Sequence, residues 1–437
     1  MSRSFLTLPP EVVEQTLCNV RPMDVAAVSC TCKALFKLIY QNDSHIWRNL
    51  FLQLFDDPRR SGDKRLPYDW RGELQRRMRA RNIILGQRNG QSIRGTSAHK
   101  HFSAIETIIR VAFSTGDFQT QLMSRSMDWV EDVMKNAHGA GYPLLSMMGT
   151  KTDDKLLIPF EYPISTSPSE PTSLRARLCV YSGLSYEDKE VILASPLNDN
   201  NLRVRSRALV YDLDRYNQAS HWGPLSWDGR RTVDWQLLLA IVLVISLNVH
   251  DHVSYVEPCL HVFHPVGFPH HALTLPQVSR VEIRLTGPVS LGIGVVWCPS
   301  ATIAPQVDTA SRSTAIFQDA DFVEGVHVLL LHLEFVGADL DAPESKLFPD
   351  RPLLHFSGST LSEKGHAQGK VSGHVCMTPD REVQWTLQTD ADDGPLWSSV
   401  GIQIGGVGSA MGVAGIWTRA IHGMEPPTGP FWTWRLD

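Results

Sequence analysis

The spacing of apolar residues changes along this chain. Between residues 5 and 55 they recur at helical intervals broken by turn signals, whereas from Leu202 onward most segments alternate apolar and polar side chains. A helical pattern laid out as a strand would turn much of its apolar set to water. The expected fold is therefore α+β: a small all-α module at the N-terminus, then a β-rich region, barrel- or sandwich-like, with a few helices. The 437 residues exceed what one hydrophobic core organises, so several domains are expected. A composition of 43% hydrophobic and 20% charged residues supports folding throughout.

The helical module divides at its own punctuation. Leu8-Pro9-Pro10 puts proline in the first turn of a helix through Val12, Val13 and Leu17, with Glu11 and Glu14 near its positive end. Arg21-Pro22 stops that helix. Asp24 can cap a second carrying Val25 and Val28, and Thr31 can begin a third whose Leu35, Leu38 and Ile39 share a face. Asp43 or Ser44 can cap a fourth with Ile46, Trp47, Leu50 and Leu54. A module this small has little core, so some of its apolar surface is a candidate for burial against a partner.

Four regions follow from these patterns: the helical module over 4–55, a basic helical connector over 56–86, a mixed helical and loop region over 87–200, and a β-rich domain over 201–437. The connector holds nine Lys or Arg against three acidic residues between Arg59 and Arg81 and should be helical after Asp69. Ala104–Val111 and Leu122–Met134 read as helices. VRSRALVYDLDRY alternates like a strand, and Trp235 to Leu247 reads as a buried helix. Strands are expected at Val281–Leu285, Val289–Cys298, His327–Phe335, Gly369–Met377, Glu382–Gln388, Val400–Ile404 and Val413–Trp417. Short turns between them favour antiparallel pairing.

Several functions lose support at this level. A formal charge of −5 offers no reason to expect nucleic acid or an anionic membrane as partner. The most apolar run, Leu237 to Leu247, is about half the length of a membrane span. Pro9, Pro10, Glu11 and Glu14 interrupt any signal-peptide core, and seven scattered cysteines fit reduced thiols, so an intracellular site, cytoplasmic or nuclear, is expected. Gly406, Gly408 and Gly412 imitate a phosphate loop, but a strand follows where a helix is required. His250, His252, His261, His264, His270 and His271 cluster loosely without metal-ligand spacing. No catalytic constellation, cofactor or metal is expected.

The run LPPEVVEQTLCNVRPMDVAAVSCTCKALFKLIYQNDSHIWRNLF resembles an F-box from its leucine-proline opener to Trp47. The resemblance includes the acidic residue two positions after the opener, the aliphatic Leu17 and the Met23-to-Leu35 stretch. It implies a Skp-family adaptor as partner and, through it, cullin and RING subunits. It also implies the work of a non-catalytic substrate receptor of an SCF-type ubiquitin ligase in ubiquitin-dependent protein degradation, with an unknown protein substrate. By that resemblance Leu8, Pro9, Val12, Val13, Leu17, Val28, Cys32, Leu35, Leu38 and Trp47 form the adaptor-facing and internal apolar surface; the pattern alone does not separate the two roles.

The blocks RALVYDLDRY, TVDWQLLLAIVLVI, RPLLHFSGST, GHVCMTPDREVQWTLQTD and GPFWTW are similar to the C-terminal part of a family of F-box proteins abundant in mushroom-forming fungi. Their tail is similar to the lipocalin-like barrel that some F-box receptors use to hold a degron. The chain departs from that pattern between Gly287 and Ala320, where VSLGIGVVWCPSATIAP replaces an expected strand rich in Asp, Gly and Trp. Trp385, Trp397, Trp417, Trp432 and Trp434 alternate with glycines there, either filling a barrel interior or lining a substrate-binding wall. The second functional reading is a ligand- or peptide-binding barrel whose F-box serves a ligase-independent assembly or its own turnover.

Overall fold

The computed structural model describes residues 8–41, 45–58, 68–86, 98–113, 125–138, 173–174, 176–177, 180, 206–251, 291–297, 327–361, 367–391, 394–405, 412–420 and 428–436. The chain divides into two compact units, Met1–Gly141 and Tyr142–Asp437.

The first unit is helical. Pro10 opens α1 (Pro10–Cys18) with its fixed φ, and Pro22 opens α2 (Pro22–Ser29) in the same way. Asp24 is therefore not a cap. It lies inside the first turn of α2 and takes an ion pair from Arg21 Nε at 2.8 Å. The third helix begins two residues later than Thr31: α3 (Lys33–Tyr40) has Cys32 in extended backbone before it, and α4 (Ile46–Leu54) follows His45. Asp43 and Ser44 lie outside the described residues.

Three longer helices complete the unit: α5 (Trp70–Gly86), α6 (Ala98–Phe113) and α7 (Arg125–His138). Leu74, Arg77, Ala80 and Ile84 recur at helical spacing along α5 and are all buried, so the basic tract has an inward side packed against α4, α6 and α7. Arg77, only 3% exposed, lies over the Phe51 and Phe55 rings at 4.6 and 4.3 Å and meets Glu73 at 3.1 Å. Burial lowers its pKa, and Glu73 opposes that shift. Burial also pushes the neighbouring Tyr68 phenol up to about 12.

The second unit is built on a closed antiparallel barrel of eight strands in sequential order. These are β1 (Leu291–Trp297), β2 (His327–Asp339), β3 (Leu353–Leu361), β4 (Ala367–Met377), β5 (Val383–Ala391), β6 (Gly394–Gln403), β7 (Val413–Arg419) and β8 (Thr428–Leu436). Closure comes from β1 pairing both β2 and β8, so the segment between Gly287 and Ala320 supplies the strand that removes the sheet's edges. Leu331, Leu333, Phe356, Val371, Leu387, Val413, Trp417 and Phe431 form the interior core.

One long helix seals part of the outer wall. In α8 (Trp235–Asp251) every residue from Trp235 to Ile245 is buried, and the helix packs on β7 and β8. Asp234 caps it: its Oδ1 accepts the backbone N–H groups of Gln236 and Leu237 at 3.1 and 3.0 Å. A short helix, α9 (Pro343–Leu347), links β2 to β3.

The alternation of VRSRALVYDLDRY is misleading. Residues 206–210 are helical and Leu213–Arg215 form a 3-10 turn. Ser206, Leu209 and Val210 are buried, and their spacing is that of a helix face. Val281–Leu285 falls outside the described residues.

Candidate functional site

The ten residues singled out in the helical module separate into three groups. Val13, Leu17, Leu35 and Trp47 are buried. Val28, Cys32 and Leu38 are half-buried, and Leu8, Pro9 and Val12 are exposed. Trp47 is internal because its indole Nε1 donates to the carbonyl of Ile39 at 2.8 Å, satisfying an acceptor at the C-terminal end of α3. Cys32 serves the start of the same helix, its carbonyl accepting the Phe36 N–H at 3.0 Å.

Glu14 does not serve the helix dipole as its position suggests. It is buried, accepts from Gln41 Nε2 at 3.1 Å and lies 3.0 Å from His45 Nδ1, tying α1 to the joint between α3 and α4. Val25, Ile39, Ile46 and Leu50 complete the core.

Among the described residues of this module four large apolar side chains remain in water: Leu8 (40% exposed), Val12 (46%), Met23 (58%) and Phe36 (55%). Scattered exposure of this kind is ordinary, but four such residues within one module of short helices are candidate contacts for a partner. Met23 and Phe36 are not among the ten. Phe36 could have been found on the α3 helical wheel, where it falls with Lys33, Lys37 and Tyr40 to one side of the buried Leu35; Met23 follows the opening proline of α2 and carries no such signal.

In the barrel, Trp417 belongs to the interior core, and Trp385 and Trp397 pack partly against it. Phe356 and Trp385 are 5.1 Å apart, and Trp397 meets Trp417 edge-on at 5.0 Å. Trp385 Nε1 donates to Gln403 Oε1 at 3.0 Å. Trp432 is also buried, but it follows the inward Phe431 and so belongs to the opposite face of β8; Trp434 has the same strand parity as Trp432. The four tryptophans whose side chains are described are thus divided between two faces of the wall. The interior at this level is filled: a Cβ on Gly401 would meet the Phe431 ring at 2.8 Å, so the glycine leaves room for the aromatic ring.

A polar cluster lies against the outer wall. Arg231, held at φ 57°, donates to Glu344 of α9 at 2.6 Å and reaches Gln384 at 3.5 Å, while His355 and His374 face each other across β3 and β4 at 6.2 Å. These contacts fasten the 228–231 turn and α9 to the barrel. Burial raises the pKa of the adjacent Cys376 thiol, the opposite of an activated nucleophile. Among the described residues no group of His, Cys, Asp or Glu side chains is placed to hold a metal ion. Of the clustered histidines, His250 lies in α8 and the other five lie outside the described residues. Gly412 stands at φ 86° directly before β7, so the glycine-rich segment does lead into a strand. No helix among the described residues is long and apolar enough to cross a membrane.

Residues 5–47 match the family model of the F-box domain. Searches of curated proteins and of solved structures return no match. F-box domains in general bind Skp1 within SCF-type ubiquitin ligases and act there as substrate receptors. The match spans α1 to α3 and ends on Trp47, the residue that locks α4 to α3, so the helical module carries an F-box domain over residues 5–47.

Proposed function

We propose that this protein is a substrate-receptor subunit of an SCF-type ubiquitin ligase. The F-box match carries the reading, and the exposed Leu8, Val12, Met23 and Phe36 support it as apolar surface available to a Skp-family adaptor. Leu8 and Pro9, with Val12 behind them, are the opener residues in position to reach the adaptor. The internal residues Val13, Leu17, Leu35 and Trp47 hold that surface in shape. Cullin and RING subunits join through the adaptor, and the barrel unit selects a protein for ubiquitin-dependent degradation in the cytoplasm or nucleus.

The contribution of such a receptor is to position. Holding a substrate near the thioester of the bound conjugating enzyme raises the effective concentration of its lysines, with no catalytic residue supplied by the receptor. Because Phe431 fills the barrel at the level of Gly401, the substrate-contacting surface is assigned to the outer wall and the barrel ends. Trp385 and Trp397, both half-buried, are the interior tryptophans nearest to serving an end of the barrel.

A reconstituted ligase containing the full chain tests this reading. In extract, it should transfer ubiquitin to a protein other than itself, and that transfer should stop when residues 142–437 are deleted. Self-modification alone would favour the ligand-binding barrel with its own turnover.

A further inference from the structure

One face of the helical unit carries cations that its own carboxylates do not neutralise. Lys33, Phe36, Lys37 and Tyr40 fall on one side of α3 by helical spacing. Arg71 of α5 lies over the Tyr40 ring at 5.7 Å, and the Phe36 ring is 4.8 Å from Tyr40, which joins α5 to that face. Arg48 of α4 lies over the ring of Trp70, next to Arg71, at 5.8 Å. Among the described residues none of Lys33, Lys37, Arg48 and Arg71 makes an ion pair, whereas Arg21, Arg76, Arg77 and Arg81 of the same unit all do. The neighbouring carboxylate, Asp69, accepts the backbone N–H of Gly72 at 2.8 Å instead.

Packing two guanidinium groups over aromatic rings fixes their positions and keeps them at the surface. An exposed aromatic ring beside positive charge suits a partner that brings carboxylates around an apolar anchor. We propose that this face receives an acidic segment of the Skp-family adaptor, with Phe36 as the apolar contact and the four cations as its electrostatic guide. The proposal rests on the reading that the F-box binds such an adaptor. It divides the interaction between an apolar surface that sets how long the complex lasts and a charged one that sets how fast it forms.

The test is the association rate of the purified adaptor–cullin pair with the full chain, measured at about 50 mM and about 300 mM salt. The Lys37→Glu, Arg71→Glu double variant changes two exposed residues, and Arg71 stands in the first turn of α5 where an acidic residue is tolerated. It should associate about tenfold more slowly at low salt, converge on the wild type at high salt and dissociate at a nearly unchanged rate. The charge-matched Lys346→Glu, Lys370→Glu variant of the second unit should associate like the wild type. Equal rates for wild type and Lys37→Glu, Arg71→Glu, or equal slowing in both double variants, would overturn the proposal while leaving adaptor binding intact. No binding by the folded wild-type chain would overturn the adaptor reading and this proposal together.

Discussion

Trp47 and Val12 have equal standing in the sequence pattern, yet one is sealed inside the helical unit and the other is half in water. The difference lies in partners that no linear spacing reveals: the Ile39 carbonyl lies 2.8 Å from the Trp47 indole nitrogen, while among the described residues nothing covers Val12 to that extent. Glu14 illustrates the same limit, since its inward turn depends on Gln41 and His45, far along the chain. The outer cluster of the barrel adds a residue-scale prediction. Burial first, then His355, depress the pKa of His374 below its ordinary 6.5, with Glu344 opposing and Arg231 assisting; burial and Arg231 do the same to His221. The unfolded chain therefore takes up these protons at higher pH than the folded one. Their contribution is complete above the unfolded value and is lost as pH falls from there toward the folded value. The thermal midpoint of the wild-type chain should fall further between about pH 8 and about pH 5.5 than that of His374→Gln. Identical pH dependence in the two proteins would contradict the assignment.

At the scale of elements, the strands were legible where inward and outward residues differ in polarity. Val289–Cys298, Gly369–Met377 and Val413–Trp417 correspond closely to β1, β4 and β7. Spacing did not mark β3, because its inward positions are Leu354, Phe356, Gly358 and Thr360, and the last two are not strongly apolar. The tail strand β8 contains Pro430, which weakens any strand signal, and only the likeness of GPFW to a barrel tail pointed to it. The long apolar helix α8 was plain because every position from Trp235 to Ile245 is buried, whereas the helix at 206–210 is too short to show its period. Complementary sizes on adjacent strands explain why barrel glycines cannot be exchanged freely. Gly401→Ala would bring a Cβ within 2.8 Å of both Phe431 and Val413 and 2.9 Å of the Ala414 carbonyl. It should destabilise the barrel by about 1–3 kcal/mol, and Phe431→Leu on top of it should recover part of that loss. Denaturant midpoints across the four proteins give the coupling, and strict additivity would show that the ring does not occupy the glycine's space.

For the whole molecule, the change from helices to sheet was readable but the arrangement of the second unit's surface was not. The change from helical to alternating spacing foretold a helical unit before a β-rich one, and the F-box match supports the ligase reading for the first. The second unit's outer wall is assembled from residues distant in sequence, such as Arg231, Glu344 and Gln384. The central claim concerns the first unit, and the most direct measurement is the affinity of the adaptor–cullin pair for the wild-type chain and for Leu8→Ala, Pro9→Ala. Both residues are exposed, so the variant should keep its thermal midpoint. The account predicts tight binding by the wild type and at least about a tenfold loss in the folded variant. Unchanged affinity in that variant, or no binding by a folded wild type, would contradict it.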